Sequence, residues 1–123
     1  MSGGDRKLLG HWGEAQVAEW LRKHGYQLLE ANWHCRFGEI DLIARKGNFL
    51  CFVEVNLRKD AVFAQAREFV DRQKQEKLRT AAELYLSQNP TELQPRFDVA
   101  EVYAPEGMQT KGPKINYLEN AFQ

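Results

Sequence analysis

Phe37-Gly-Glu-Ile-Asp-Leu-Ile-Ala-Arg-Lys-Gly-Asn-Phe-Leu-Cys-Phe-Val-Glu-Val-Asn56 is the stretch whose reading decides the fold. It divides into two apolar strands, near 39–46 and 49–57, around Gly47-Asn48, a dipeptide that suits a two-residue hairpin turn. Each strand carries one acid in its middle. Asp41 lies among Ile40, Leu42, Ile43 and Ala44, and Glu54 among Phe52, Val53 and Val55. A carboxylate buried in such surroundings is costly unless it has a partner.

With Gly47-Asn48 as the loop, paired positions sum to 95, which sets Asp41 opposite Glu54 and, by the two-residue period, brings Asn56 onto the same face. Opposed side chains in an antiparallel pair have Cβ atoms about 4.5–5.5 Å apart. Two carboxylates about 5 Å apart repel by about 3 kcal/mol at an effective dielectric of about 20. A divalent cation removes that penalty, and a shared proton is the alternative. A one-residue slip of register would separate the two acids.

Outward from the hairpin, the chain alternates helical and strand patterns. Residues 1–9 form a lead expected to be flexible. Gly10 to His24 has helical periodicity, closed by Gly25 as a C-cap. Its apolar stripe is Val17, Ala18 and Leu21, and at 100° per residue Glu14 falls within that stripe. The helix macrodipole accounts for an acid near a helix start, but not for its face. Tyr26 to Trp33 reads as a short first strand. A long helix is expected from Ala64 to Ser87, ended by Asn89-Pro90, with a stripe of Val70, Leu78, Ala81, Leu84 and Tyr85. Lys74 and Lys77 project onto this stripe and Gln73 lies at its edge; lysines so placed either snorkel outward or reach the acids. Thr91 to Pro95 is a loop, and Arg96 to Tyr103 a further strand with Phe97, Val99 and Tyr103 on one face. Strand, long helix, strand implies a parallel crossover. Pro105 to Pro113 reads as an exposed loop and Lys114 to Leu118 as an edge strand.

The 123 residues suffice for one domain with a core. Seventeen basic residues balance seventeen acidic ones, which excludes a polycation of histone type. The middle of the chain is mildly basic once the candidate acids are set aside. Cys35 and Cys51 lack metal-ligand spacing and make no disulfide framework; Cys51 reads as a core thiol. No apolar signal region or membrane span is visible, so a soluble, cytoplasmic protein is expected.

Glu14, Asp41 and Glu54, supported by Asn56, Gln73, Lys74 and Lys77, form a set of hard oxygen donors with amines nearby. Such donors suit Mg²⁺ or Mn²⁺ and not zinc. A metal on two carboxylates can activate water and polarise a phosphoryl oxygen, with an ammonium stabilising the developing charge. That chemistry points to a phosphodiester hydrolase.

The ordered segments Gly10-x-x-Gly-Glu14-x-x-Ala, Leu21-x-x-x-Gly25-Tyr26, Gly38-Glu-Ile-Asp-Leu-Ile-Ala44, Phe52-Val-Glu-Val55 and Arg96-Phe-Asp-Val99 resemble the bacterial YraN-like family, over roughly residues 8–122. That family is similar to archaeal Holliday-junction resolvases of the PD-(D/E)xK nuclease superfamily. The resemblance implies an α/β, restriction-endonuclease-like core: a central mixed sheet of four to five strands flanked by helices, as one domain over 1–123. It also implies roles. Asp41 and Glu54 would bind Mg²⁺ or Mn²⁺ together with the Val55 backbone carbonyl, Glu14 would support the metal through water, and Lys74 matches a lysine on the long helix. The family's strand reads Phe-Val-Glu-Val-Lys, and here the lysine position is Asn56, which brings no charge.

Three readings stay open. The first is a metal-dependent endonuclease acting on DNA, with branched DNA as one substrate form and a twofold dimer favoured by symmetric cutting. The second is a non-catalytic nucleic-acid-binding module on the same fold. The third is a structural domain whose acids are satisfied by Arg36, Arg45 or Arg58.

Overall fold

A computed structural model describes residues 3–59 and 71–123, with side chains from Arg6 onward. Helix α1 spans Gly3–Lys23, followed by β1 (Gln27–Cys35), β2 (Gly38–Lys46) and β3 (Phe49–Arg58). Helix α2 (Arg72–Gln88) leads to β4 (Gln94–Tyr103), a 3₁₀ turn (Gly107–Gln109) and β5 (Lys114–Phe122). The five strands form one sheet in the order β1-β2-β3-β4-β5. All neighbours are antiparallel except β3 and β4, which are parallel and joined through α2. This is the mixed α/β, restriction-endonuclease-like arrangement that the sequence implies, including the crossover.

The hairpin register is the expected one: Leu42 pairs with Val53, Ile43 with Phe52 and Ala44 with Cys51. Gly47 alone of the turn dipeptide takes positive φ, at 58°, so the tolerance of Asn48 is not used. The sheet separates two apolar layers. On one side Val17 and Leu21 of α1 pack on Leu42, Ala44, Cys51, Val53, Ala100 and Val102. On the other, Leu78, Ala81, Ala82 and Tyr85 of α2 pack on Ile43, Leu50 and Phe52. Cys51 is a core thiol as expected; burial and the neighbouring Asp98 push it up to about 12.

Three boundaries differ from expectation by more than two residues. Helix α1 begins at Gly3 and not near Gly10; Leu9 lies close to Gly107 of the 3₁₀ turn, a tertiary contact that no local pattern reveals. The long helix is not continuous from Ala64. Asp71 is extended (φ −70°, ψ 170°) and caps α2 by accepting the Lys74 N–H at 2.8 Å, so the helix starts at Arg72. Ala64 to Val70 lie outside the described residues. Strand β5 runs to Phe122, beyond the expected Leu118, because Phe122 pairs with Phe97 and stacks on its ring. At the end of α1, Gly25 (φ 84°) closes the helix as expected, with Tyr26 N–H donating to the Leu21 carbonyl. Among the described residues no helix is long and apolar enough to cross a membrane.

Candidate metal centre

Asp41 and Glu54 are both buried, at 9 and 7 % exposure, and line one cavity of about 410 Å³ between β2, β3 and the start of α2. The β2–β3 ladder ends at Leu42–Val53, one position before the two acids. There Asp41 takes over a backbone group: the Val55 N–H donates to Asp41 Oδ2 at 2.8 Å. In an extended strand a residue's N–H and carbonyl point to the same side, so the Val55 carbonyl also faces the β2 side, beyond the last pair of the ladder.

The cation on this cluster is Lys74, whose Nζ is paired with Glu54 Oε1. The Asp71 cap fixes the first turn of α2, which sets Lys74, Gln73 and Lys77 along the cavity wall. Lys74 is half-exposed, so its ammonium spans the distance from solvent to a buried carboxylate. The arginines expected as structural partners are engaged elsewhere: Arg36 lies over Phe37, Arg45 donates to the Gly47 carbonyl and Arg58 pairs with Glu101.

Burial pushes Asp41 up to about 8, and the charges of Glu54, Glu14 and Glu39 add to the rise; the Val55 N–H opposes it. Asp41 thus favours its protonated form, and Lys74 sets an ammonium on Glu54.

Glu14 is half-buried and lines a neighbouring cavity of about 440 Å³ with Arg6, Lys7, His11, Asn32 and His34. Burial raises its carboxyl pKa, while Asn32, His11 and Asp41 favour its charged form. Its Oε1 is buried with no hydrogen-bond partner among the described residues. Glu39 forms the wall common to both cavities. Among the described residues no three His, Cys, Asp or Glu side chains close on one point in metal-holding geometry. Glu14 is thus brought near Asp41 without joining it and Glu54 in one cage. Asn56 does not line the cavity, and its Nδ2 is buried with no partner among the described residues.

Two contributors escape the sequence reading. Glu39 shares a strand face with Asp41 by the two-residue period, a signal that was available. Asn32 adopts φ 54° inside β1, between the pairs Ala31–Leu42 and Trp33–Ile40, and so falls opposite Asp41. No local pattern marks that strained position.

Two carboxylates and a backbone carbonyl fit Mg²⁺ or Mn²⁺, which bind through one or two protein carboxylates and keep several waters. Lys74 supplies the positive charge beside Glu54. A larger cavity, about 670 Å³, opens around Phe49, Arg96 and Phe122; Glu119 is its single acid, and it offers no comparable pair.

Residues 13–102 match the uncharacterised protein family UPF0102. A UPF0102 protein of Caldanaerobacter subterraneus subsp. tengcongensis is 43% identical over 120 residues, covering 96% of this chain and 97% of the relative. One from Acetivibrio thermocellus is 38% identical over 121 residues, covering 96% and 93%. Another, from Syntrophomonas wolfei, is 41% identical over 115 residues, covering 93% and 96%. The YraN-like resemblance and these matches agree, and the chain belongs to the UPF0102 family.

Proposed function

We propose that this chain is a divalent-metal-dependent nuclease that hydrolyses phosphodiester bonds in DNA. The observation that carries the reading is a pair of buried acids, Asp41 and Glu54, in one open cavity with a lysine paired to one of them. Asp41, Glu54 and the Val55 carbonyl would hold Mg²⁺ or Mn²⁺, with Glu14 supporting it through water. When bound, the metal activates a water and polarises the phosphoryl oxygen. Lys74, on the cavity wall beside Glu54, would reach the phosphate and stabilise the charge of the transition state. Asn56 supplies no charge, so this work falls to α2. DNA as substrate sets the protein in the cytoplasm, and cutting two strands symmetrically favours a twofold dimer.

The test is cleavage of branched, nicked and single-stranded DNA with Mg²⁺ or Mn²⁺. Activity on at least one substrate, abolished by Asp41→Ala, is expected. Absence of activity on all of them overturns the reading.

A second reading has its own observation. Asn56 stands where the resemblance expects lysine and does not line the cavity, which suits a nucleic-acid-binding module without catalysis. Cleavage that appears only in Asn56→Lys would select this reading.

A further inference from the structure

Phe37 is an aromatic ring set on the turn between β1 and β2. Arg36 and Phe37 are the two residues between the paired Cys35 and Gly38. Gly38 returns the chain into β2 at φ 137°, which residues with a side chain rarely adopt. Tight turns ordinarily carry small or polar residues, chosen for their backbone. Phe37 is neither, and it is part of no apolar core cluster among the described residues. Its side chain is 39 % exposed. A single exposed apolar side chain is ordinary; the surroundings of this one are not. The Arg36 guanidinium lies over the ring, with Cζ 4.8 Å from the centroid.

The ring lines a cavity of about 250 Å³ together with Gln73, Glu76, Lys77 and Thr80 of α2. Gln73 and Lys77 also line the cavity of Asp41 and Glu54, so the two cavities share a wall. Gly38, next to Phe37 in the chain, lines the metal cavity as well. The lining of the small cavity is mixed in a particular way. Gln73 offers amide donors and an acceptor, and Glu76 offers acceptors. Thr80 Oγ1 donates to the Glu76 carbonyl at 2.9 Å and keeps its lone pairs for accepting. One apolar face beside a rim of donors and acceptors fits a flat heterocycle with a polar edge. The Glu76 carboxylate repels an anion there but not a neutral base. The Lys77 ammonium, on the shared wall, fits the phosphate attached to such a base.

We infer that Phe37 stacks on an unpaired nucleobase next to the scissile phosphate, with Gln73, Glu76 and Thr80 meeting the base edge. Arg36 occupies one face of the ring and the base takes the other. Stacking of this kind tolerates any sequence, because every base has a π-face. A base inside a duplex is stacked on its neighbours and paired along its edge, so it reaches such a slot only when unpaired or extruded. The substrate is thereby narrowed to DNA with unpaired nucleotides beside the cut, as in single strands and branched forms. The place of the slot beside the scissile phosphate rests on the nuclease reading; the capture of an unpaired base by Phe37 does not.

The experiment measures affinity of the full chain for short fluorescent DNA by anisotropy, in EDTA so that no cleavage enters. Three probes of one length are compared: a single strand, its duplex, and a single strand with abasic sites in place of bases. Phe37→Ala should weaken binding of the single strand about tenfold and leave binding of the duplex and of the abasic strand unchanged. Phe37→Tyr, which keeps the ring, should retain the affinity for the single strand. The wild type should bind the abasic strand more weakly than the single strand by a factor similar to the Phe37→Ala loss. Equal affinity of wild type and Phe37→Ala for the single strand overturns the inference. So does a loss in Phe37→Ala that is the same for all three probes, or a loss in Phe37→Tyr as large as in Phe37→Ala. A wild-type chain that does not bind single-stranded DNA overturns it as well. Base-dependent binding through Phe37 in a chain that cleaves no DNA with Mg²⁺ or Mn²⁺ would instead overturn the nuclease reading alone.

Discussion

Lys74 of α2 forms an ion pair with Glu54 of β3, a half-exposed ammonium on a buried carboxylate. The contact joins the two sides of the β3–α2–β4 crossover at the point where Asp41 and Glu54 would otherwise face each other without a counter-charge. Removing Lys74 leaves Glu54 buried and unneutralised. In EDTA, Lys74→Met should therefore lower stability by about 1–2 kcal/mol, less than for a fully buried pair because the lysine is half solvated. Mn²⁺ should then stabilise the variant more than the wild type, since it no longer competes with an ammonium. Thermal melts with and without Mn²⁺ test this; equal metal-induced shifts in the two proteins would contradict it.

Asp41 gives the metal-free protein a defined response to pH. Its folded-state value is raised to about 8 against an ordinary value of 3.8, with burial as the main cause. Between these values the unfolded chain has released the proton and the folded chain retains it. Stability attributable to this group is thus full below about pH 4 and is lost as pH rises through about 8. Denaturation in EDTA at several pH values should show the decline, and Asp41→Asn should flatten it. A wild-type profile that matches that of Asp41→Asn would mean that the carboxyl is already ionised.

Asn56 separates catalytic loss from structural role. Asn56→Lys introduces an ammonium next to Glu54 on the same strand face and beside Glu101 on β4. Because Lys74 already supplies the transition-state charge, single-turnover cleavage should stay within a few-fold of the wild type; a rise of about 10²–10³-fold, the usual worth of one transition-state donor, would show that Lys74 does not fulfil the role.

Asp98 is expected to matter for stability and not for the metal. It is fully buried and receives Arg96 Nε at 2.9 Å, Arg96 Nη2 at 3.0 Å, Tyr117 OH at 2.6 Å and Asn120 N–H at 2.9 Å. Asp98→Ala would strand the buried Arg96 charge, at a cost of about 3–5 kcal/mol. Urea denaturation reads the loss, and calorimetry should find Mn²⁺ affinity unchanged.

Much of this arrangement is legible in the sequence because local rules generate it. The period-2 pattern and the Gly47 turn specify the register that carries Asp41 and Glu54 to one cavity. Helical phase and Gly25 specify the buried stripe of α1. What stays hidden depends on contacts between distant segments. The positive φ of Asn32 is imposed by the sheet around it. Glu101 looks like an ordinary polar residue in an alternating strand until the parallel register sets it beside Asn56. The motif Arg96-Phe-Asp-Val99 carries family resemblance, yet Arg96 and Asp98 serve a buried network with Tyr26 and Tyr117. The α2 start is obscured because the apolar stripe read from the sequence runs back to Val70, whereas the Asp71 cap sets the start of α2 at Arg72.

The central claim is that Asp41 and Glu54 bind a divalent cation in place of the Lys74 ammonium. A crystal structure of the full chain grown with Mn²⁺, with anomalous data at the manganese edge, tests it most directly. An anomalous peak in the cavity lined by Asp41 and Glu54, with Lys74 moved off Glu54, is expected. No peak at millimolar Mn²⁺, with Lys74 still paired to Glu54, would contradict it.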